Sequence, residues 1–140
     1  MKKEFVDKLV RAFKEGSKYP SLSIEQPGAT IELAYEIQQL FVAELQTEKA
    51  GYKAAVTSEP IQQIMSIKAP VSGVLFSSGE FQANTTIDDS KDLLIETELG
   101  FQTNIDITQP VEPAEVYALI DCYYPMIEIA SPNLEGKPNG

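Results

Sequence analysis

The apolar residues of this 140-residue chain change their spacing part-way along, and that change limits the fold more than any other feature. Before Gly79 they recur mostly every third or fourth residue, the repeat of a helix lying on a core. After it they mostly alternate, the repeat of a strand. In residues 3–15, Phe5, Val6, Leu9, Val10 and Phe13 share one helical face, and Gly16 supplies a stop signal. A Pro/Ser/Gly-rich connection runs from Ser17 to Gly28. The spacing of Leu33, Ile37, Phe41 and Leu45, with Leu40 beside them, predicts a helix over 31–48 capped by Thr30. Residues 52–56 read as a short strand, and Ser58 as the cap of a short helix through about Met65. Pro70, Ser72 and Gly73 mark a turn before a strand at Val74-Leu75-Phe76.

Beyond Gly79 the clearest segment is Asp92 to Thr103. Ile95, Thr97, Leu99 and Phe101 alternate with Glu96 and Glu98, so the two sets face opposite sides. Pro113 opens a short helix through about Ile120. Cys122 to Ala130 reads as a buried strand, followed by a final segment rich in loop residues. Helices first and strands later imply an α+β fold. So few strands imply a thin sheet with exposed edges, as a fragment of a larger fold has.

Charge and residue absences narrow the function. The net charge is −10, divided as +3 over residues 1–20 and −13 over the remainder. Such an acidic surface is repelled by phosphate backbones and anionic lipid, which places nucleic-acid and membrane partners far behind a small molecule. No apolar run approaches the roughly 18 residues of a spanning helix. The first residues do not form a signal peptide, because Asp7, Lys8 and Arg11 interrupt them. The lone Cys122 has no internal disulfide partner, so the expected compartment is the cytosol. With no histidine, neither a His-based triad nor a His-based zinc site is available. A metal here has hard oxygen ligands, which points to Mg, Mn or Ca.

Three places carry chemistry. In Glu96-Thr97-Glu98, strand geometry sets both carboxylates on one face within about 7 Å of each other. Like charges that close disfavour one another unless a cation lies between them, though a bare pair of this kind is often only a solvated face. Asp92 is the other acid near that face. Glu128 interrupts the apolar run Pro125-Met126-Ile127-Glu128-Ile129-Ala130, where an isolated buried carboxylate is expensive without a partner or a metal; an edge strand with Glu128 facing water, or a pairing with a Lys, is the plainer reading and ranks somewhat behind. Together the three glutamates offer three oxygen ligands, with water and substrate completing an octahedron. Lys53, between the turn at Gly51 and an apolar strand, suits a substrate carboxylate or a proton transfer; by itself it reads better as a snorkelling surface lysine. Tyr19, Tyr52, Tyr117, Tyr123 and Tyr124 read as core or interface aromatics, and Cys122 as a small buried apolar residue.

On these residues the chain resembles the 2-keto-4-pentenoate hydratase family of the fumarylacetoacetate hydrolase superfamily. Ala34-Tyr35-Glu36-Ile37-Gln38 is similar to the family's A-Y-x-[IV]-Q helix, and Gly51-Tyr52-Lys53-Ala54-Ala55-Val56-Thr57-Ser58 to its G-x-K-x-[GA]-x-T-S segment. Pro70-Val71-Ser72-Gly73-Val74-Leu75 stands where the family has P-D-[FY]-G-x-L, with Val71 in place of the acid. Ile95-Glu96-Thr97-Glu98-Leu99-Gly100-Phe101 resembles the metal strand I-E-x-E-[IL]-A-F, and Tyr124-Pro125-Met126-Ile127-Glu128-Ile129 the P-A-[LI]-E-[IV] strand. Beyond Glu128 the family's Ser-Arg pair is replaced by Ser131-Pro132-Asn133, and family chains run well past this length.

The resemblance implies that Glu96, Glu98 and Glu128 hold one Mg or Mn ion and that Lys53 is the catalytic residue beside a 2-oxo acid. The implied reaction adds water to 2-hydroxypenta-2,4-dienoate in aromatic-compound breakdown. It also implies a homo-oligomer. Residues 1–68 would be an N-terminal helical cap region, and 69–140 the first part of a β-rich catalytic domain of mixed sandwich or barrel type. The alternatives are a decarboxylase or C–C hydrolase of the same superfamily, a non-catalytic oligomerising or binding domain, and a truncated, partly unfolded product.

Overall fold

The computed structural model describes residues 2–87, 93–131 and 133–136, so Asp92 and Pro132 lie outside the described residues. Its contacts form two compact units, Met1–Thr86 with Asn133–Gly140, and Ile87–Pro132.

The first unit is built on two amphipathic helices, α1 (Lys2–Glu15) and α3 (Ile31–Leu45), with the single-turn α2 (Leu22–Glu25) between them. Phe5, Val6 and Val10 of α1 and Ile37 and Leu45 of α3 are buried together, at the three- and four-residue spacing that puts them on facing stripes. Strands β1 (Lys49–Ala55) and β2 (Val71–Phe76), separated by α4 (Glu59–Ile64), form a two-stranded antiparallel sheet. Phe76 at the end of β2 meets Phe13 and Phe41 in a three-ring edge-on cluster with centroids 5.7–6.5 Å apart. Two ion pairs, Lys2 with Glu36 and Lys8 with Glu25 at 2.7 Å, set part of the basic N-terminal helix against acidic neighbours. Both are exposed and contribute little to stability.

The helical motif Ala34–Gln38 has a structural task. Ile37 is buried in the core, while the Tyr35 hydroxyl accepts from the Ser72 amide at 2.9 Å and Gln38 Nε2 donates to the Ser72 carbonyl at 3.2 Å. Helix α3 thereby satisfies backbone groups on the outer edge of β2, a position otherwise open to another strand. This anchoring explains why β2 begins at Val71 and runs through Ser72 and Gly73, where the turn chemistry predicted a bend.

Several ends differ from the sequence reading for local reasons. The Thr30 hydroxyl caps α3 by accepting from the Leu33 amide at 3.3 Å, as expected. The helix stops at Leu45 rather than 48 because Gln46 turns left-handed (φ 52°) and the Glu48 carbonyl accepts from Ser77 instead. Strand β1 covers 49–55 rather than 52–56, ending where Val56 takes a positive φ of 57°. Ser58 precedes α4, but its side chain makes no cap bond. Pro113 opens turns and a 3₁₀ segment (Val116–Leu119) in place of a helix, because Glu115 and Ala118 donate to residues three back.

The second unit is an antiparallel ribbon of β3 (Leu94–Thr103) and β4 (Ile120–Ala130). The expected alternation in β3 is present. The expectation that Cys122 to Ala130 is buried is overturned: Tyr123, Tyr124, Met126, Ile127 and Ile129 are all exposed. Among the described residues this sheet consists of β3 and β4 alone.

The core assignment has a direct test. Ile37→Ala removes a buried side chain and is expected to cost about 2–5 kcal/mol. Leu40→Ala, on the exposed side of the same helix, is expected to stay within about 0.5 kcal/mol. Urea unfolding followed by circular dichroism measures both.

Candidate metal centre

The β3–β4 register sets Glu96 directly opposite Glu128, with Glu98 two residues along on the same side, opposite Met126. Directly paired residues of an antiparallel ladder point to one face, so the pleat brings the three carboxylates together. One oxygen from each lies within 4.8 Å of the others. Glu96 and Glu98 are exposed and Glu128 is half-buried. Opposite like charges destabilise a cross-strand pair by roughly 0.2–1 kcal/mol. A small divalent ion with oxygen ligands at about 2.1 Å separates trans ligands by about 4.2 Å. Ligands that are cis stand closer, about 3.0 Å apart, so the three oxygens would draw together around an ion; as hard oxygen donors they fit such a cation in chemistry.

The same face continues beyond the glutamates. Gly100 stands opposite Tyr124, and the Met126 side chain lies over it: a Cβ at residue 100 would fall 2.1 Å from Met126 Sδ. The missing side chain is what lets the thioether fold down beside the carboxylates. Next along the ribbon the Cys122 thiol donates to the Tyr124 hydroxyl at 2.9 Å, which donates to Gln102 Oε1 at 2.9 Å. The bond with Cys122 is the main cause that raises the Tyr124 phenol above its ordinary pKa, aided by burial and by the charges of Cys122 and Asp121.

Residues read from the sequence as an apolar cysteine and an interface tyrosine therefore form a polar chain on the glutamate face. Strand parity carried the signal, since 122, 124, 126 and 128 alternate onto one side. Lys53 lies in the other unit, on β1 opposite Gly73, half-buried, with its aliphatic stem passing over that glycine. Val71 pairs with Ala55 at the start of β2. The structure brings Glu96, Glu98 and Glu128 together; Lys53 belongs to a separate sheet.

No protein-family profile matches the chain, and no curated protein sequence matches it. Among solved structures, it is similar to 4-oxalocrotonate decarboxylase from Pseudomonas putida G7, complexed with magnesium and adipate. The TM-score is 0.76 at 18% sequence identity, over 94% of this chain and 52% of that one. The chain therefore spans about half the length of that solved chain. Identity this low establishes the fold alone: an α+β arrangement like the corresponding part of that structure.

Metal linkage tests the cluster. Mg at 100 times its dissociation constant is expected to raise unfolding stability by about 2.7 kcal/mol. A thermal melt with and without Mg, repeated on Glu98→Ala, reads this shift and its loss.

Proposed function

We propose that this chain carries the metal-binding part of a Mg- or Mn-dependent lyase acting on small 2-oxo acids. The observation that carries the reading is the convergence of Glu96, Glu98 and Glu128 on one face of a fold like that of a Mg-bound decarboxylase. In this reading the three carboxylates hold one divalent ion. When bound, that ion supplies Lewis-acid polarisation of the 2-oxo group and offsets the negative charge that develops on its oxygen. The glutamates fix the ion from one side of the ribbon and leave its outer positions to substrate and water. Met126, folded over Gly100, gives that side an apolar neighbour. Lys53 is the proposed anchor for the substrate carboxylate or proton-transfer group, a role that an ammonium on a flexible stem suits. A site in the cytosol follows from the same reading.

Two reactions follow from the same metal-held oxo acid. Hydration of 2-hydroxypenta-2,4-dienoate to 4-hydroxy-2-oxopentanoate is supported by the motifs around Lys53, Glu96, Glu98 and Glu128. Decarboxylation is favoured by the named activity of the similar structure. It is favoured also by Val71, because loss of carbon dioxide needs no acid to manage an attacking water. The division into a cap over 1–68 and a β-rich catalytic part over 69–140 belongs to this proposal.

Oxalate, which carries two adjacent carboxylates and resembles the enolate of a 2-oxo acid, separates metal binding from substrate binding. Calorimetry is expected to show oxalate binding to the chain only with Mg present, and none to Glu98→Ala. Lys53→Met is expected to weaken oxalate by about tenfold, a loss of about 1.4 kcal/mol, with Mg affinity unchanged. Product analysis with the dienoate and with a 2-oxo dicarboxylate then distinguishes water addition from carbon dioxide release. Absence of Mg-dependent oxalate binding in the wild-type chain would overturn the reading.

A further inference from the structure

We infer that Met126, folded over Gly100, is a specificity-determining residue of the glutamate face, seating the uncharged carbon tail of a bound 2-oxo acid. This rests on the metal-held oxo acid proposed above. The carboxylates come from two neighbouring rows of the ladder, Glu96 with Glu128 and Glu98 with Met126. Cross-strand partners stand about 5 Å apart, and alternate residues of one strand about 7 Å apart. The four side chains therefore mark the corners of a small rectangle on one face. Three corners are acids with an oxygen each within 4.8 Å of the others. Met126 is the fourth, and it carries no charge.

Charge decides where a molecule bound at those acids extends. A divalent ion offsets two of the three negative charges, so the acid corners remain anionic and repel a second carboxylate. A carbon tail laid over them would also strip water from ionised groups, which is costly. Over Met126 the same tail removes only apolar surface from water. The row on the other side, Leu94 with Ala130, borders Glu96 and Glu128 but not Glu98. Met126 alone adjoins ligands on both strands: it faces Glu98 across the ladder and lies two residues from Glu128.

Gly100 sets the height of the seat. A Cβ there would fall 2.1 Å from Met126 Sδ and 2.9 Å from its Cγ, so the thioether occupies space that any other residue would take. The motifs this chain resembles carry alanine at both positions, so a side chain has been removed from one strand where a longer one lies down from the other. Met126 keeps 46% of its surface exposed and is open to a ligand. Its flexible, polarisable side chain suits contact with a carbon chain. The seat favours a 2-oxo acid with a neutral tail over one ending in a second carboxylate.

Calorimetry with Mg and three probes, oxalate, 2-oxopentanoate and 2-oxoglutarate, tests this. The two oxo acids share a five-carbon chain and differ in the terminal carboxylate, and 2-oxopentanoate is expected to bind more tightly. Met126→Ala is expected to weaken 2-oxopentanoate by about fourfold, the worth of one buried methylene, with oxalate unchanged. Met126→Leu is expected to restore the tail contact. Gly100→Ala displaces the thioether and is expected to weaken 2-oxopentanoate, whereas Leu94→Ala is expected to have no effect on it. In the wild-type chain the Met126 methyl NMR signal, identified by its loss in Met126→Leu, is expected to shift further with 2-oxopentanoate than with oxalate. Tighter or equal binding of 2-oxoglutarate would overturn the inference. So would tail binding that Met126→Ala leaves intact or Leu94→Ala weakens as strongly, or a Met126 methyl that the tail does not move. In those cases oxalate still binds with Mg and the metal reading stands; if oxalate does not bind, both fail.

Discussion

The antiparallel register of β3 with β4 is the constraint on which the rest of the second unit depends. By setting Glu96 across from Glu128, it assigns every residue of both strands to one side or the other. One side collects three carboxylates, a thioether folded over a glycine and a thiol–phenol–amide hydrogen-bond chain. The other collects aliphatic and aromatic side chains without a charge. A slip of one residue in β3 would send Glu96 and Glu98 to the apolar side and break up the cluster. The ladder hydrogen bonds and the apolar side chains hold that register against the repulsion of the paired acids. Like charges set across the ladder are a local cost to stability.

The first unit solves a different problem. Two helices bury a small aliphatic stripe, and the Phe13–Phe41–Phe76 cluster ties the end of β2 to them. Tyr35 and Gln38 fasten the outer edge of β2 through the backbone of Ser72. Residues that first attract notice as a family-like motif therefore serve the packing of a strand. Gly73 likewise lies under the Lys53 stem, in ordinary packing contact. Resemblance of a motif and role of a residue are separate matters, and only the contacts decide between a structural and a chemical use.

The α+β class, both long helices, the Thr30 cap and the alternation in β3 were legible in the sequence. Each depends on neighbours within a few positions, where apolar period and capping chemistry act. The E-x-E geometry was legible for the same reason, since strand residues two apart always share a face. Tyr124 and Cys122 were misjudged because residue type alone suggested burial. Their parity with Glu128 was the available signal, and it places them on the polar face.

The sequence by itself determined which segments could be helix or strand and which glutamates could share a side of one strand, because those properties follow from local backbone geometry. Only the tertiary structure decided that Glu128 meets Glu96 across the ladder, that β2 begins at Val71, and that β4 is exposed rather than buried. Each of these depends on what a distant segment does: a partner strand that sets register, a helix that takes up Ser72, and a layer that an apolar run alone cannot guarantee. Long-range pairing carries no fixed spacing in the sequence, and so it had to be seen.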